Sequence, residues 1–209
     1  MKRAFITFEG TDGTGKTTQM ALLAQSLRQQ GYEVVTTREP GGTPLAERVR
    51  QLVLDASLPL TSKTESLLFM AARSEHVDQV IRPALQAGKI VLCDRFCDST
   101  FVYQGLTQGL KVGDLAPLRQ LNSMATDGLE PDLTLVLEGD PGVLLQRRQE
   151  RGVKDRFENK GLDFQRQLRA GFLALQAAEP ERLKIVNALQ SVEQVAVEIA
   201  EIVGQYLRE

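Results

Sequence analysis

Apolar residues in this chain fall into short unbroken runs that alternate with longer stretches where they recur every three or four positions. Ala4 to Phe8 is one such run and stops at a glycine-rich turn. Gln19 to Leu27 then carries Met20, Leu23, Ala24 and Leu27 at helical spacing, and Gly31 closes that helix. Val34 to Thr37 predicts a second strand, Arg38 to Pro44 a Gly/Pro loop, and Leu45 to Leu54 a helix with Leu45, Val49, Leu52 and Val53 on one side. Thr61 and Glu65 mark the start of a long helix that Leu67, Leu68, Ala71, Val80, Ile81, Ala84 and Leu85 continue to Gly88. Ile90 to Cys93 is continuously apolar, as a parallel strand covered on both faces should be. A segment around Asp98 to Gln104 and a helical stretch from Asp114 to Ala125 lead to a fourth strand, Leu133 to Leu137, between Pro131 and Gly139. Asp140 and Pro141 open another helix, since the missing proline N–H is no loss in a first turn. Phe164 to Ala178 is helical, Leu183 to Val186 is a short fifth strand, and Val192 to Leu207 is an amphipathic last helix. Strands alternating with helices over the whole length predict an α/β fold, a doubly wound five-stranded parallel sheet with helices on both faces.

At 209 residues the chain exceeds the usual domain of about 150, and one well-cored domain is the expectation. Lysine and arginine number 25 against 27 acidic residues, so no bulk basic field is available to hold a nucleic acid backbone. The 42% hydrophobic and 25% charged fractions, with 17 Gly and 8 Pro, exclude a disordered or collagen-like chain. Two cysteines, Cys93 and Cys97, and one histidine, His76, cannot alone supply four zinc ligands, and no disulfide framework is indicated. Their C-x-x-x-C spacing is not the redox C-x-x-C, and Cys93 ends an apolar run, where a thiol serves as a small buried hydrophobe. Lys2 and Arg3 precede an apolar stretch too short for a secretory signal. With no apolar run near the roughly 18 residues of a membrane span, a soluble, cytoplasmic protein without membrane or nucleic acid partners is expected.

The sharpest chemical signal is Gly10, Thr11, Asp12, Gly13, Thr14, Gly15, Lys16, Thr17, an unbroken G-x-x-x-x-G-K-[ST] between a predicted strand and a predicted helix, followed by Thr18. Phosphate oxygens need a concave row of backbone N–H groups, which glycines permit by adopting φ values closed to other residues. The dipole of the helix behind the loop adds to the grip. Lys16 is then placed for the β and γ phosphates of a nucleotide and the Thr17 hydroxyl for Mg²⁺. The competing reading is a glycine turn with a chance lysine. Asp94 at the carboxyl tip of the third strand faces the ligand crevice, where such a residue helps hold Mg²⁺, and Arg95 beside it suits a second phosphate. A plain strand-end ion pair is the alternative.

Phe69, Arg73 and His76 share one helix face, offset from the stripe of Leu68, Ala71 and Ala72. An aromatic with an arginine one turn on fits a planar base, one surface stacking and the other donating to a ring oxygen. A core-edge phenylalanine with a solvated arginine fits equally well, and His76 reads as a surface helix residue. Arg147, Arg148, Arg151, Lys154 and Arg156, interrupted by Gly152, fit either a short lid over about 147–160 that swings arginines onto phosphates or a salt-bridged helix end.

Taken together, Phe8 to Thr18, Thr37-Arg38-Glu39-Pro40-Gly41-Gly42-Thr43, Leu67 to Arg73, and Asp94-Arg95-Phe96 with Ser99, Tyr103 and Gln104 resemble bacterial thymidylate kinases. The resemblance runs from the first strand to the last helix. It implies a single P-loop NTPase-type kinase domain that moves the γ-phosphoryl group of ATP to dTMP, giving dTDP, with Mg²⁺ and as a homodimer. It further implies that Phe69 stacks on thymine and Arg73 bonds its ring oxygen, with Ser99 or Thr100 near the base. Arg95 would hold the dTMP phosphate, helped by the loop that contains Glu39. Asp12 would approach the sugar 3′-hydroxyl or its phosphate, and Tyr103 would crowd the place of a ribose 2′-hydroxyl. Some members carry an arginine where this chain has Gly13, and members lacking it resemble this chain in placing arginines in the lid. That puts the catalytic positive charge on Arg151 or Arg156.

The acceptor chemistry agrees independently. A phosphate monoester has a second pKa of about 6, so the acceptor is mostly dianionic at neutral pH and needs no general base. Alignment and charge neutralisation suffice. Two other readings remain. A deoxynucleoside kinase would need a carboxylate base, for which Glu39 is the candidate. A nucleotide-dependent switch would need a guanine-reading N-K-x-D, and Asn159-Lys160-Gly161-Leu162 places its aspartate one position late, at Asp163.

Overall fold

The computed structural model describes residues 2–149 and 161–208. In chain order it contains β1 (Ala4–Glu9), α1 (Lys16–Gln29), β2 (Val34–Arg38), α2 (Pro44–Leu54), α3 (Ser62–His76), α4 (Arg82–Gln86) and β3 (Ile90–Asp94). There follow α5 (Cys97–Thr100), α6 (Ala116–Thr126), β4 (Leu133–Glu138), α7 (Pro141–Gln149), α8 (Gly161–Ala178), β5 (Leu183–Asn187) and α9 (Val192–Arg208). The five strands form one all-parallel sheet in the order β2-β3-β1-β4-β5.

Because side chains alternate along a strand, β1 feeds two cores. Ala4, Ile6 and Phe8 meet Met20, Leu23 and Leu27 of α1 and Val195, Ile199 and Val203 of α9. Phe5 points the other way, into a core with Ile81, Phe101, Phe172 and Leu175. Thr7 and Glu9 follow Phe5 on that second face and are fully buried. The chain leaving β1 therefore enters α1 on one face, while the chain leaving the neighbouring β3 enters α5 on the other. Their carboxyl ends flank the crevice where open α/β sheets bind ligands.

Two segments depart from the apolar pattern. In α2 the buried residues are Ala46, Val49 and Val53, while Leu45 and Leu52 are each 47% exposed. Small Ala46 lets α2 approach α3 closely, and that stripe is selected over the larger leucines. The single helix expected over Thr61 to Gly88 is interrupted by a π-helical turn at Val77–Ile81. Pro83 lies just beyond it, has no N–H to give, and its ring crowds the carbonyl four residues back. A local change of helix type accommodates both. The face of α3 turned inward is also unexpected: Glu65, Ser66, Arg73 and His76 are buried, while Leu67 is 49% exposed and Ala71 is exposed.

Candidate active site

The loop after β1 is shaped by backbone that only glycine supplies. Gly10 has φ 125°, and a Cβ there would lie 2.1 Å from the Leu137 carbonyl oxygen. Gly13 and Gly15 take φ 88° and 86°, and Gly15 starts α1 with no side chain capping it. The first-turn N–H groups of α1 have no intrahelical acceptor and face the loop. Lys16 folds back so that Nζ donates to the carbonyls of Gly10 (3.1 Å) and Thr11 (2.9 Å), with Asp12 Oδ1 at 3.9 Å. Burial lowers the Lys16 pKa, and the nearby Arg95 charge lowers it further against the pull of Asp12, Asp94 and Glu9. Thr14 Oγ1 donates to the Thr11 carbonyl. Across the crevice Thr17 Oγ1 donates to Asp94 Oδ2 at 2.9 Å, so a hydroxyl from α1 and a carboxylate from the tip of β3 meet at one point. Among the described residues no group of three or more His, Cys, Asp or Glu side chains could hold a metal ion.

Arg95 is held on the strained side of the backbone map, at φ 71°. Its N–H continues the sheet by donating to the Phe8 carbonyl. Its guanidinium donates to the Gly10 carbonyl and Ser99 Oγ at 3.0 Å each, and to Asp12 Oδ1 at 2.7 Å, while the Tyr103 ring lies 5.4 Å away. Behind this turn stands Glu9, a residue that the sequence reading passed over as the end of a strand. It accepts from the backbone N–H groups of Phe96 (2.8 Å) and Ser99 (3.1 Å) and from Ser99 Oγ (2.6 Å), with Arg95 at 4.0 Å. Asp98, next on α5, is clamped by Arg182 through two hydrogen bonds of 2.7 Å.

Burial first, then the negative charge of Asp98, push the Glu9 carboxyl from 4.5 to about 7, against the opposing pull of Arg95, Ser99 and Phe96. The folded protein thus holds this proton more tightly than the unfolded chain does. The stabilisation is full below about pH 4.5 and is lost as pH rises through 7, on the order of 3 kcal/mol in all. Glu9→Gln carries no such proton. Its stability relative to the parent, from urea unfolding, should therefore improve by about that amount between about pH 5 and pH 8. A difference that stays flat with pH would remove the buried ionisation.

The β2 end supplies the opposite wall. The Glu39 N–H donates to the Asp94 carbonyl, the Glu39–Pro40 peptide is cis, and Gly41 and Gly42 turn the chain at φ 147° and 85°. Glu47 accepts from Arg38 and the Gly42 N–H, Arg50 Nη1 donates to the Pro40 carbonyl, and Thr43 caps α2. Arg73, read from sequence as base-binding or solvated, is 2% exposed. Its Nε donates to Glu39 Oε2 (2.7 Å), Nη1 to Asn122 Oδ1 (2.9 Å) and Nη2 to Thr100 Oγ1 (3.1 Å), and the Phe96 ring covers its face at 4.8 Å. Burial works to discharge Arg73, but Glu39, Cys97 and Glu9 together outweigh it and raise its pKa. The solvated alternative is therefore incorrect.

His76 is also corrected: it is 0% exposed and bonded to Glu39 and Thr37 rather than on the surface. Its buried position follows from α3 turning its polar side toward the crevice. Asn122, on α6, gave no signal in the sequence. Glu39, 6% exposed and shared between Arg73 and His76, is committed to ion pairing rather than placed as a general base. Gln104 Nε2 donates to Glu65 Oε2 at 3.3 Å.

Of the basic segment, Arg147 belongs to α7 and its Nη1 donates to the Ala188 carbonyl at 2.8 Å. Arg151, Lys154 and Arg156, with Gly152 and the Asn159-Lys160 pair, lie outside the described residues. Cys93 and Cys97 are both buried free thiols, in keeping with the core reading of Cys93. The crevice is one cleft of about 780 Å³ that runs from Lys16, Thr17 and Asp94 past Arg95 to Phe69 and Arg73.

The thymidylate kinase family model matches residues 8–199. A thymidylate kinase from Symbiobacterium thermophilum is 49% identical over 204 residues, 97% of this chain and 94% of that protein. One from a Synechococcus strain is 50% identical over 199 residues, covering 95% and 93%. The crystal structure of thymidylate kinase from Ehrlichia chaffeensis superposes with a TM-score of 0.78 at 37% identity, covering 98% of this chain and 99% of that one.

Proposed function

The chain belongs to the thymidylate kinase family, and we propose that it transfers the γ-phosphoryl group of ATP to dTMP with the residues of the cleft as follows. The observation that carries this assignment is the continuity of the cleft: a phosphate cradle at one end and an aromatic-arginine pair at the other share one space of about 780 Å³. Backbone N–H groups of Gly13 to Thr18 and the Lys16 ammonium take the ATP phosphates. Arg95, with the Arg38 to Thr43 loop, takes the dTMP phosphate. On that phosphate's arrival Asp12 gives up its hold on Arg95 and turns to the sugar. Phe69 stacks on thymine, Arg73 donates to its ring oxygen, and Ser99, Thr100 and Gln104 border the base. Tyr103, whose ring also packs edge-on against Phe164, fills the space of a 2′-hydroxyl. No general base is required, since the acceptor oxygen arrives deprotonated.

The Thr17 hydroxyl and Asp94 carboxylate fit Mg²⁺, a hard cation that takes one or two protein oxygens and completes its shell with phosphates and water. When bound it neutralises charge on the phosphates being transferred. A homodimer in the cytoplasm completes the reading. Leu45 and Leu52 on α2, Leu67 on α3 and Met124 on α6 are exposed on helices that pack side by side, which supports an apolar face for a second copy. No described helix is long and apolar enough to cross a membrane.

A coupled ADP-release assay across nucleoside monophosphates, with thymidine as a further acceptor, tests the assignment: dTMP should turn over fastest and thymidine not at all. Preference for thymidine would make the protein a deoxynucleoside kinase, and ATP turnover without an acceptor would make it a switch. In the same assay Arg73→Lys keeps a charge opposite Glu39 but loses the planar fork. It should raise the KM for dTMP about tenfold, the worth of one charged hydrogen bond, and leave the KM for ATP unmoved.

A further inference from the structure

The chain's one histidine is fully buried, within hydrogen-bond distance of two polar side chains, and has no place in the transfer described above. Its Nδ1 lies 3.0 Å from Glu39 Oε1 and its Nε2 2.7 Å from Thr37 Oγ1, so both ring nitrogens are used. A Cβ on Gly42 would come within 2.6 Å of the ring, so the loop after β2 packs directly on it. The other oxygen of Glu39 takes Arg73 Nε at 2.7 Å. A chain of contacts thus runs from the end of β2 through His76 and Glu39 to Arg73.

Arginine offers five N–H groups in one plane. Nε is spent on Glu39, the Nη1 pair points to Asn122 Oδ1 and the Met70 sulfur, and one Nη2 hydrogen goes to Thr100. Among the described residues one Nη2 hydrogen is left, and Arg73 lines the cleft. Its direction is set by the plane of the guanidinium. That plane is held by Glu39 at Nε together with Asn122 at Nη1 and Thr100 at Nη2, and the carboxylate is the one charged partner and so the strongest of the three. The carboxylate in turn can rotate about its own bond unless its second oxygen is held.

We infer that His76 is a positioning residue for the base site: by holding Glu39 Oε1 it fixes the plane of Arg73 and with it the selection of a ring oxygen over a ring amino group. This rests on the assignment of Arg73 to the base. A loosened Arg73 should bind dTMP less well. It should also reject a cytosine base less firmly, because the amino group that replaces the ring oxygen clashes only with a donor held in place.

The test exploits two conservative variants. Asn places an amide near the position of Nδ1 and can still donate to Glu39, whereas Gln places one near Nε2 and keeps Thr37 but not Glu39. Gln is also closer to histidine in volume. A packing role therefore ranks His76→Gln above His76→Asn, and a positioning role ranks them the other way. With purified full-length enzyme, His76→Gln should raise the KM for dTMP about tenfold and lower the dTMP over dCMP ratio of kcat/KM, with the KM for ATP and kcat within about threefold. His76→Asn should recover at least half of the loss. Combined with Arg73→Lys, His76→Gln should cost less than the sum of the two.

Gln matching or exceeding Asn, an additive cycle, or equal rises in both KM values would overturn the inference. If His76→Gln does not fold, Thr37→Val frees the far end of the ring, and a rise of about threefold confined to dTMP is expected. No rise, or an equal rise for ATP, then overturns it. Arg73→Lys without effect on dTMP would instead remove the base-site assignment itself. Arg73→Lys with effect beside a silent His76→Gln would remove His76 alone.

Discussion

Lys16→Ala should lower kcat by on the order of 10²-fold or more in a protein that remains folded, the usual cost of losing one electrostatic donor at the reacting group. The side chain is 6% exposed and its ammonium is held at the mouth of the loop by two carbonyls, of Gly10 and Thr11, rather than by a committed ion pair. Asp12, at 3.9 Å, is the nearest carboxylate and is itself occupied by Arg95 at 2.7 Å. Phosphate oxygens can replace the two carbonyls as partners without breaking a buried pair, which is what a charge that must follow a moving phosphoryl group requires. Burial lowers the Lys16 pKa, so the ammonium is less well solvated than a surface lysine and gains more from meeting an anion. Lys16 also lines the cleft, so water entering there can reach the two carbonyls that the ammonium leaves, and stability should change little. Circular dichroism and single-turnover kinetics on the variant decide it: a folded Lys16→Ala protein with near-normal turnover would take the P-loop lysine out of the mechanism.

The same site shows what a sequence exposes and what it hides. Strands β1, β3 and β4 were legible because a parallel strand buried on both faces is mostly apolar, and each run ends within a residue or so of its strand. The phosphate loop was legible because its shape depends on glycines whose φ values no other residue shares comfortably, as the 2.1 Å clash at Gly10 illustrates. The polar face of α3 was not. A search for apolar periodicity favours Leu67, Leu68 and Ala71, but Glu65, Arg73 and His76 face inward because they satisfy partners on β2 and the loop after it, on α5 and the turn after it, and on α6. Such partnerships are formed between residues tens of positions apart, and no local pattern encodes them. Glu9 is the clearest instance: a carboxylate closing an apolar strand carries a hint of function, yet its role depends on the turn at Phe96 and Ser99 that only the fold brings to it. The choice between the leucines and Ala46 on α2 was equally out of reach, since it depends on how closely α3 approaches.

The second large effect concerns the positive charge proposed to act on the transferring group beside Lys16 and Arg95. Gly13 stands in the loop where some relatives place an arginine, and basic residues crowd the sequence from Arg147 to Arg156. Arg147 is engaged with the Ala188 carbonyl, and the resemblance to members with lid arginines makes Arg151 and Arg156 the candidates. If either stabilises the transition state, Arg151→Ala or Arg156→Ala should cut kcat strongly, up to about 10³–10⁵-fold by analogy with arginine fingers. KM values should change little, because a contact made mainly in the transition state does not strengthen ground-state binding.

Gly13→Arg placed in the impaired variant should then restore part of the rate, and the same change in the parent should add little, since two arginines would compete for one charge. The rescue is bounded by the backbone. Gly13 has φ 88°, and a side chain held there costs on the order of 1–3 kcal/mol, enough to cancel a tenfold gain or more. The decisive quantity is therefore the coupling in a double-mutant cycle on kcat across position 13 and the more sensitive arginine, because the backbone cost appears in both arms of the cycle and drops out. An additive cycle, or alanine variants that keep turnover within about threefold, a loss under a kcal/mol, would show that neither arginine carries the charge.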